Sequence, residues 1–333
     1  MIERIENPRI VGSEEISRLI SDGIIPVIQF SEKAYDRKIL KNIDSLCINF
    51  GESLEVRFYG HYNSDFDASW LEFLPNVANL SIDCMQSIRN EAALEKLENL
   101  KKLSFGIYDF EDREFLSRLK LDKVEKLVVG DNHKNCFDLS SLSKCRNLVE
   151  LFISGHTKGI QSIGALPKLQ VLTLGSIPKK QDLGFVNSLA NLKRLTILLG
   201  GRESISEITN PNIEELEIIR VRGFGELDNI DRFKKLNILE IEDQIRLKRL
   251  DFEKSLPSLK YLRIANCKEL DTIEGIERLR NIEHIRIYKT NLDLEKFVKQ
   301  SFPKTLKILA VYTGKSKIDK KLRQTLDEMG FLE

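Results

Sequence analysis

The chain has 333 residues, of which 41% are hydrophobic and 31% charged, a composition typical of a folded, water-soluble protein. Its 52 basic and 51 acidic residues leave a formal net charge of +1, so bulk charge gives no reason to expect a nucleic-acid or membrane partner. No apolar run in the sequence approaches the ~20 residues that a membrane-spanning helix needs.

The start of the chain and its cysteines bear on where the protein resides. The opening residues contain no apolar segment of the kind that secretory signals carry. The cysteines are odd in number and scattered, which indicates reduced thiols rather than a disulfide framework; they are Cys47, Cys84, Cys136, Cys145 and Cys267. We therefore expect a cytoplasmic protein.

Residues 1–73 lack a regular repeat and are predicted to form an N-terminal cap over the end of a larger core. Within them, residues 13–21 have the pattern of an amphipathic helix. Ser13 is placed to cap this helix, and Glu14 and Glu15 lie in its first turn, where acidic side chains are favoured. A helix at this point is consistent with a capping role.

Three further stretches of the N-terminal segment are predicted strands. Residues 25–30 and 45–50 are rich in β-branched and aromatic residues, and residues 53–60 alternate in a way compatible with an inserted hairpin. A degenerate copy of the repeat described next also fits here, through Ile43, Leu46 and Ile48.

From residue 77 to the end, the motif Leu-x-x-Leu-x-Leu, or an aliphatic or Phe equivalent, returns every 21 to 24 residues. Its first positions are Val77, Leu100, Val124, Leu148, Leu169, Leu192, Ile213, Leu236, Leu259, Ile282 and Leu306. A period of this length is the signature of a repeat protein, in which stacked units share one continuous core. Residues 74–312 are therefore predicted to form an array of about eleven repeats.

The unit that begins at Leu259 shows how one repeat is built. Leu262 and Ile264 alternate with polar or small residues, which predicts a short strand with one buried face. Apolar residues then recur at every third position, a spacing suited to a tight 3₁₀-like return, at Leu270, Ile273, Ile276 and Leu279. The stacked strands should form a parallel sheet on a concave surface, about 50 Å long at ~4.8 Å per strand.

The sequence LRIANCKELDTIEGIERLRNIEHIRIYKTNL, residues 262–292, resembles the consensus of leucine-rich repeat proteins, specifically the short 21–24-residue class found in internalins. The resemblance covers residues 74–312. It implies an α/β solenoid: a leucine-rich repeat arc with a concave parallel β-sheet, convex 3₁₀, irregular and short helical segments, and caps at both ends.

The family also implies an asparagine ladder at the ninth position of each repeat. Asn132 and Cys267 suit this position. Several repeats depart from it, with Met85, Tyr108, Ile177, Gly200 and Val221. We therefore expect irregular loops after several strands.

Residues 313–333 are predicted to form a C-terminal helical cap. Residues 316–331 have a helical pattern, with Leu322, Leu326 and Met329 on one face. The lysines and arginine of this helix form a small basic cluster that we interpret as a solvated cap surface.

The third, fifth and seventh positions of each repeat strand point away from the core, so these residues decide what the sheet can bind. In the first repeats they are mostly small or neutral. Later they form an acidic block of Glu215, Glu217, Glu240, Glu242 and Asp243. A basic block of Arg263, His284 and Arg286 follows, bordered by Tyr261, Tyr288 and Tyr312.

Aromatic, Arg and acidic side chains in one concavity have the composition of a protein-binding hot spot, and their charges would steer association. The alternative is that neighbouring acidic and basic residues neutralise one another across the sheet. Both interpretations remain open at the level of sequence for any single residue.

The sequence contains none of the common catalytic or cofactor motifs. The Gly-Lys-Ser at residues 314–316 lacks the glycine that a phosphate-binding loop needs five residues earlier, where Leu309 stands. His133 and His156 could be neighbours on successive repeats, but two ligands make a weak metal site, and we interpret both as polar loop residues. Cys84 and Cys145 have no evident His and acid partners. We predict no catalytic residue, no metal and no cofactor.

The predicted function is therefore that of a non-enzymatic protein-binding module, monomeric when free, that uses its concave face. A preformed repeat surface loses little conformational entropy on association. The leading hypothesis is an inhibitor or immunity-type protein that occludes a partner toxin or enzyme; we expect neither nucleic acid nor a membrane as partner. The alternatives are an adaptor or scaffold linking cellular proteins and, more remotely, an enzyme with a site at residues 30–70.

Overall fold

A computed structural model describes residues 1–133, 136–228 and 230–331 of the chain. The chain divides into two compact units, Met1–Leu169 and Gln170–Glu333, each built on a parallel β-sheet. None of the helices in these described ranges has both the length and the apolar character that crossing a membrane requires.

The first unit alternates strands with helices and 3₁₀ segments. Its strands and helices in chain order are β1 (Ile2–Glu6), α1 (Ser13–Ser21), β2 (Ile25–Ser31), α2 (Arg37–Phe50), β3 (Glu55–Tyr59), β4 (Phe66–Asp67), β5 (Asn79–Arg89), β6 (Lys102–Asp109), α3 (Phe115–Arg118), β7 (Lys126–Val129) and β8 (Glu150–Ser154). The strands run parallel in the order β1-β2-β3-β5-β6-β7-β8, and β4 pairs with the end of β5. Its 3₁₀ segments are Gly51–Ser53, Ala68–Phe73, Glu91–Lys96, Ser140–Lys144 and Ile160–Ala165.

The second unit repeats the same plan. Its strands and helices are β9 (Val171–Gly175), β10 (Arg194–Leu198), β11 (Glu215–Ile219), β12 (Ile238–Glu242), β13 (Arg249–Asp251), β14 (Tyr261–Ala265), β15 (Thr272–Glu274), β16 (His284–Tyr288), α4 (Leu294–Phe297), β17 (Ile308–Tyr312) and α5 (Ser316–Glu328). The main sheet has the parallel order β9-β10-β11-β12-β14-β16-β17. Its 3₁₀ segments are Gly184–Ser188, Ile230–Arg232 and Ile276–Arg278.

The repeat pattern fixes the core of both units. All eleven predicted first positions are buried, and every predicted repeat strand begins at the third position of its repeat. In the unit that begins at Leu259, the side chains of Leu259, Leu262 and Ile264 are fully buried. Each such aliphatic side chain stabilises the fold by about 1.5–3 kcal/mol as an upper estimate. The predicted strands and their buried face are confirmed.

The return segments include one feature that the spacing did not predict. Around Leu250 and Ile273 the chain forms the short parallel pair β13–β15 instead of a 3₁₀ turn. Ile273 is thus a strand residue, whereas Ile276 begins a 3₁₀ segment as expected. Apolar residues three apart are compatible with either conformation, so the spacing alone does not decide between them.

Two predictions for the N-terminal segment are wrong. Residues 45–50 belong to helix α2, so the degenerate repeat through Ile43, Leu46 and Ile48 does not form. Buried residues recur at helical spacing along α2, and Ile48, which a repeat strand would bury, is 65% exposed. β3 does not form an inserted hairpin, because it pairs in parallel with both β2 and β5. The segment instead adds three parallel strands to the sheet through helical crossovers.

The helix predicted over residues 13–21 has the expected bounds, but its cap differs. Gly12 is the N-cap residue, and no side chain caps the first turn, so the capping role predicted for Ser13 is wrong. At α2 the cap is a side chain: Asp36 accepts hydrogen bonds from the backbone N–H groups of Lys38 and Ile39 at 2.8 and 2.9 Å.

The same turn geometry recurs after six strands of the second unit. The eighth residue of each repeat has a left-handed φ between 51° and 60°, although none is glycine. Its N–H donates to the carbonyl of the last strand residue in the next repeat at 2.8–3.0 Å. We call these residues the turn row: Ser176, Leu199, Arg220, Asp243, Asn266 and Lys289. The row places one side chain per repeat along the edge where the strands end.

The irregular loops expected from the ninth positions occur in the first unit only. There β5 continues to Arg89 with a register shift between Ile82 and Met85, and β6 continues through Tyr108. The second unit keeps the regular turn at Ile177, Gly200 and Val221, so the expectation is wrong for these repeats. The reason is that the turn-row hydrogen bonds join main chain to main chain and do not need an Asn side chain.

The C-terminal helix α5 packs Leu322 and Leu326 into the core, as predicted. Met329, predicted on the same helical face, is the C-cap residue just after the helix and is 45% exposed. The carboxylate of Asp319 ties the helix to the last strand by accepting a hydrogen bond from the N–H of Thr313 at 2.7 Å. The last two residues of the predicted cap lie outside the described residues.

Candidate functional site

The sheet register of the second unit brings the predicted site residues side by side. Glu217, Glu240, Arg263 and Arg286 are direct neighbours on β11, β12, β14 and β16. Two flanking rows on the same face contain Glu215, Tyr261 and His284 on one side, and Glu242, Tyr288 and Tyr312 on the other. Asp243 follows β12 and belongs to the turn row.

The acidic block is internally paired. The Arg263 guanidinium donates to Glu242 at 2.7 Å and lies 3.4 Å from Glu240. The other acids have partners as well: Glu215 pairs with Arg194, Glu217 accepts from the Thr196 hydroxyl at 3.0 Å, and Asp243 pairs with Arg220 at 2.6 Å. The alternative that acids and bases pair across the sheet thus describes Glu215, Glu240, Glu242 and Asp243, whereas Glu217 contacts a hydroxyl.

The crowding of carboxylates shifts two ionisation equilibria. Burial raises the pKa of Glu240, and the neighbouring Glu217 and Glu242 raise it further against the opposing effect of Arg263. The hydrogen bond to Glu242 raises the pKa of Arg263 above its ordinary value. Arg263 is therefore held as a cation against the acidic block, and its contact with a partner stays a prediction.

The basic and aromatic half is different. Arg286 is exposed, and among the described residues it has no ion-pair partner within 4 Å. The Tyr261 and His284 rings lie 6.1 Å apart, and Tyr288 is 38% exposed with the Lys289 ammonium 4.7 Å from its ring centre. We call Tyr261, His284, Arg286 and Tyr288 the Arg286 patch. It offers an accessible guanidinium framed by aromatic side chains.

Sequence reasoning missed Lys289 and, apart from Asp243, the residues of the turn row. Lys289 was not assigned to the basic block, because its position follows the strand instead of lying within it. A signal was present in the sequence, since this residue stands at the eighth position of its repeat, like Arg220 and Asp243. Its conformation becomes visible only when the backbone is known.

The segment considered for an enzyme site forms a packed aromatic cluster. His61 is fully buried, and its ring meets that of Phe66 edge-on at 5.5 Å. Tyr35 contacts Phe58 and Trp70 at ring distances of 5.0 and 5.6 Å. Burial is the main cause of both the lowered pKa of His61 and the raised pKa of Tyr35. These shifts follow from core packing and do not indicate convergent groups in a cleft.

The two histidines considered as loop neighbours have different roles. His156 is fully buried, accepts a hydrogen bond from the Phe137 N–H at 3.1 Å, and bonds through Nε2 to the Gly130 carbonyl at 2.8 Å. It lies in the loop after β8, as predicted, but it is buried at the ladder position of its repeat and not at the surface. His133 is exposed and stacks on Tyr108 at 4.8 Å. The described part of the chain holds no cluster of three or more His, Cys, Asp or Glu residues arranged for a metal ion.

Comparisons with known proteins bear on the fold. No family model matches the chain. A curated "Putative adenylate cyclase regulatory protein" from Trypanosoma equiperdum is 28% identical over 195 residues, which is 55% of this chain and 30% of that protein. The chain thus spans about a third of the length of the curated relative that it matches.

Two solved structures are similar with a TM-score of 0.52. The chain of the TLR13–ssRNA13 complex is 14% identical, with 93% of this chain and 54% of that chain covered. A chain of the Drosophila Toll–Spatzle complex is 15% identical, with 86% of this chain and 43% of that chain covered. These neighbours are leucine-rich repeat proteins, and the likeness shows that the chain has the same solenoid fold.

Proposed function

We propose that this leucine-rich repeat protein is a non-enzymatic protein-binding module and that the Arg286 patch is the centre of its binding surface. The observation that carries the proposal is the accessible guanidinium of Arg286, framed by Tyr261, His284 and Tyr288 on the exposed sheet face. Tyr and Arg are the residues that most often dominate binding energy at protein interfaces.

The surroundings of the patch favour a protein with a carboxylate at its centre. The acids of β11 and β12 form a polar flank beside the patch, contacted by Arg194, Arg263 and the Thr196 hydroxyl. Among the described residues, the exposed sheet face of the second unit has no repeated basic stripe of the kind that a nucleic-acid backbone requires. A carboxylate of the partner could form a bidentate pair with Arg286, with aromatic contacts around it.

The finer role that we propose is that of an inhibitor or immunity-type protein in the cytoplasm, which occludes a partner toxin or enzyme. The turn-row hydrogen bonds join each repeat to the next, so the binding face is already ordered before the partner arrives. A preformed surface of this kind avoids the ordering cost of association and suits tight occlusion.

A second candidate, an adaptor or scaffold, is favoured by one observation in the first unit. Tyr62 and Tyr108 are exposed there, and Tyr108 stacks on His133. Exposed aromatic side chains can form a second interaction surface. The curated relative has a regulatory name, and the similar solved chains were captured with Spatzle and with ssRNA13, so partners of more than one kind occur on this fold.

The test is an affinity pull-down from a lysate of the native host with the wild type and Arg286→Glu, quantified by mass spectrometry. Reversing this charge places a carboxylate against the partner's own, so we expect recovery of the specific partner to fall by about tenfold or more. Lys320→Glu is the matched control, because Lys320 is exposed on α5 and the charge change is the same.

Equal recovery of the same partners by wild type and Arg286→Glu would show that the patch is not the site. If one occluded partner is bound, Arg286→Glu should remove every specific protein; if the chain is an adaptor, a second set of proteins should remain. Arg286 is a cleaner probe than a double charge reversal of Glu240 and Glu242, because that change would also leave Arg263 among like charges.

A further inference from the structure

A groove of about 840 Å³ lies in the second unit, outside the Arg286 patch, on the side where the strands end. It is formed by the turns that follow β9 to β12. Its apolar lining includes Pro178 and Leu199, and Leu199 is 43% exposed. No aromatic side chain lines it within the described residues, so it has no platform on which a nucleobase could stack.

The floor of the groove is main chain held in a fixed form. Gly200 has φ +69°, and a Cβ there would lie 2.4 Å from the Ile177 carbonyl oxygen. The N–H of Gly201 donates to the same carbonyl at 3.1 Å, and the N–H of Leu199 donates to the Ile219 carbonyl at 2.8 Å. Because these backbone groups already have partners, a ligand would be recognised by the side chains at the edge of the groove.

The edge is basic. Four cationic side chains and one carboxylate line the groove: Lys179, Arg220, Arg222, Arg246 and Glu203. Lys179 pairs with Glu203 at 2.5 Å, and Arg220 pairs with Asp243 at 2.6 Å. Two cations, Arg222 and Arg246, then remain exposed without an ion-pair partner within 4 Å among the described residues.

The backbone around Arg222 is ordered even though its side chain is free. Its N–H donates to the Gly200 carbonyl at 3.2 Å, and its carbonyl accepts from the Arg202 N–H at 3.0 Å. The backbone of Arg222 is therefore held in place, while its side chain is exposed to solvent. Arg246 occupies the corresponding turn after β12 and is exposed in the same way.

We propose that this groove binds an acidic peptide segment of a partner protein. Carboxylates of the segment pair with Arg222 and Arg246, whose planar guanidinium groups match the geometry of a carboxylate. An apolar side chain between them packs against Leu199 and Pro178, which a nucleic-acid backbone or a free phosphate would leave uncovered. The assignment concerns a surface separate from the Arg286 patch and does not depend on it.

The test uses fluorescence anisotropy of the full chain with a labelled synthetic peptide composed of Glu, Asp and Leu. A peptide of the same length with Gln and Asn in place of the acids, a labelled oligo-dT and inorganic phosphate as competitor form the other arms. We expect the acidic peptide to bind in preference to all three. Its affinity should fall as salt is raised, because the contacts are ionic and exposed.

The decisive variant is Arg222→Gln with Arg246→Gln, and its matched control is Lys317→Gln with Lys320→Gln on α5, which removes the same charge from exposed positions. We expect the first pair to weaken peptide binding by about tenfold or more and the control pair to change it less than about twofold. Arg286→Glu should leave peptide binding intact, so failure of this proposal and failure of the proposed function are distinguishable.

The proposal is overturned if the wild type does not bind the acidic peptide, if both double variants bind it alike, or if the Gln and Asn peptide binds equally well. Preferential binding of the oligonucleotide would reassign the groove to nucleic acid and equally overturn it. Circular dichroism of each variant checks that the fold is retained, and Arg246→Gln alone, at an exposed side chain, gives a milder second variant that should weaken binding in the same direction.

Discussion

At the residue scale, the turn row shows how backbone conformation positions side chains that matter for binding. Six residues other than glycine adopt a left-handed φ at the same point of successive repeats. This conformation costs an L-amino acid roughly 1–2 kcal/mol. Each turn gains one inter-repeat hydrogen bond in return, and its side chain is directed to the edge of the sheet.

Gly200 and Gly201, in the floor of the groove, allow a test of whether the left-handed turn conformation requires glycine at Gly200. Gly200→Ala should lower the free energy of unfolding by about 1–3 kcal/mol, because its φ is +69° and the new Cβ would meet the Ile177 carbonyl at 2.4 Å. Gly201→Ala is the matched control: its φ is not left-handed, and its nearest neighbour would lie at 3.6 Å. Urea unfolding followed by circular dichroism measures both, and similar losses for the two variants would contradict the argument.

At the scale of elements, the N-terminal helices show that two adjacent helices can begin in different ways. α2 is capped by the Asp36 side chain, whereas α1 starts after Gly12 without a side-chain cap. The pattern of Ser13 followed by two acids looked like a cap, but the residue before it takes the N-cap conformation. A side chain stabilises the start of a helix in this way only from the N-cap position, so Ser13, one residue later, does not contribute as a cap.

Asp36→Ala should therefore destabilise the first unit by about 1 kcal/mol, whereas Ser13→Ala should change it by less than about 0.5 kcal/mol. Trp70 is the single tryptophan of the chain and contacts Tyr35 beside the cap, so its fluorescence during urea unfolding reports on this region. Equal effects of the two variants would mean that the Asp36 hydrogen bonds do not stabilise α2.

At the scale of the whole molecule, the 52 basic and 51 acidic residues are nearly balanced, and the stacking of the repeats decides which of them meet. On the exposed face of the second unit, Arg194 pairs with Glu215, Arg220 pairs with Asp243, and Arg263 pairs with Glu240 and Glu242. Arg286, and in the groove Arg222 and Arg246, have no such partner among the described residues. Exposed ion pairs contribute little stability, so their main consequence is to define which charges a partner meets.

The stability of the first unit should depend on pH through His61. Burial lowers the pKa of His61 below its usual value of 6.5. Below pH 6.5 the unfolded chain therefore binds a proton that the folded state resists, and the free energy of unfolding falls as the pH decreases. Above pH 6.5 the residue is neutral in both states and contributes no pH dependence.

His61→Phe should remove this part of the acid sensitivity. Urea unfolding followed by Trp70 fluorescence at about pH 7.5 and about pH 5 gives the difference between wild type and variant. Phe66→Leu is the control, because it alters the same cluster without removing a titratable group. If the wild type and His61→Phe lose equal stability on acidification, His61 is not the source.

The sequence determined the repeat strands, the buried residues of each repeat and the face on which the candidate site residues lie. These follow from local periodicity. Successive side chains of a strand point to opposite faces, so Leu or an equivalent at every second position can bury only one face of the strand. Where one pattern admitted two periods, as for Ile43, Leu46 and Ile48, the wrong element was predicted. Ile43 and Leu46 suit both the repeat motif and the buried face of helix α2, whereas Ile48 is exposed on that helix.

The tertiary structure decided which charges are available to a partner. Arg263 lies 21 and 23 residues from the carboxylates that it contacts, and Arg220 lies 23 residues from Asp243. Such pairs form only when successive repeats stack in register, so no local pattern distinguishes a neutralised Glu242 from a free one. For the same reason, Arg263 and Arg286 were predicted as equivalent members of one basic block, whereas in the stacked repeats only Arg263 has ion-pair partners among the described residues. Stacking also forms the groove that Arg222 and Arg246 line.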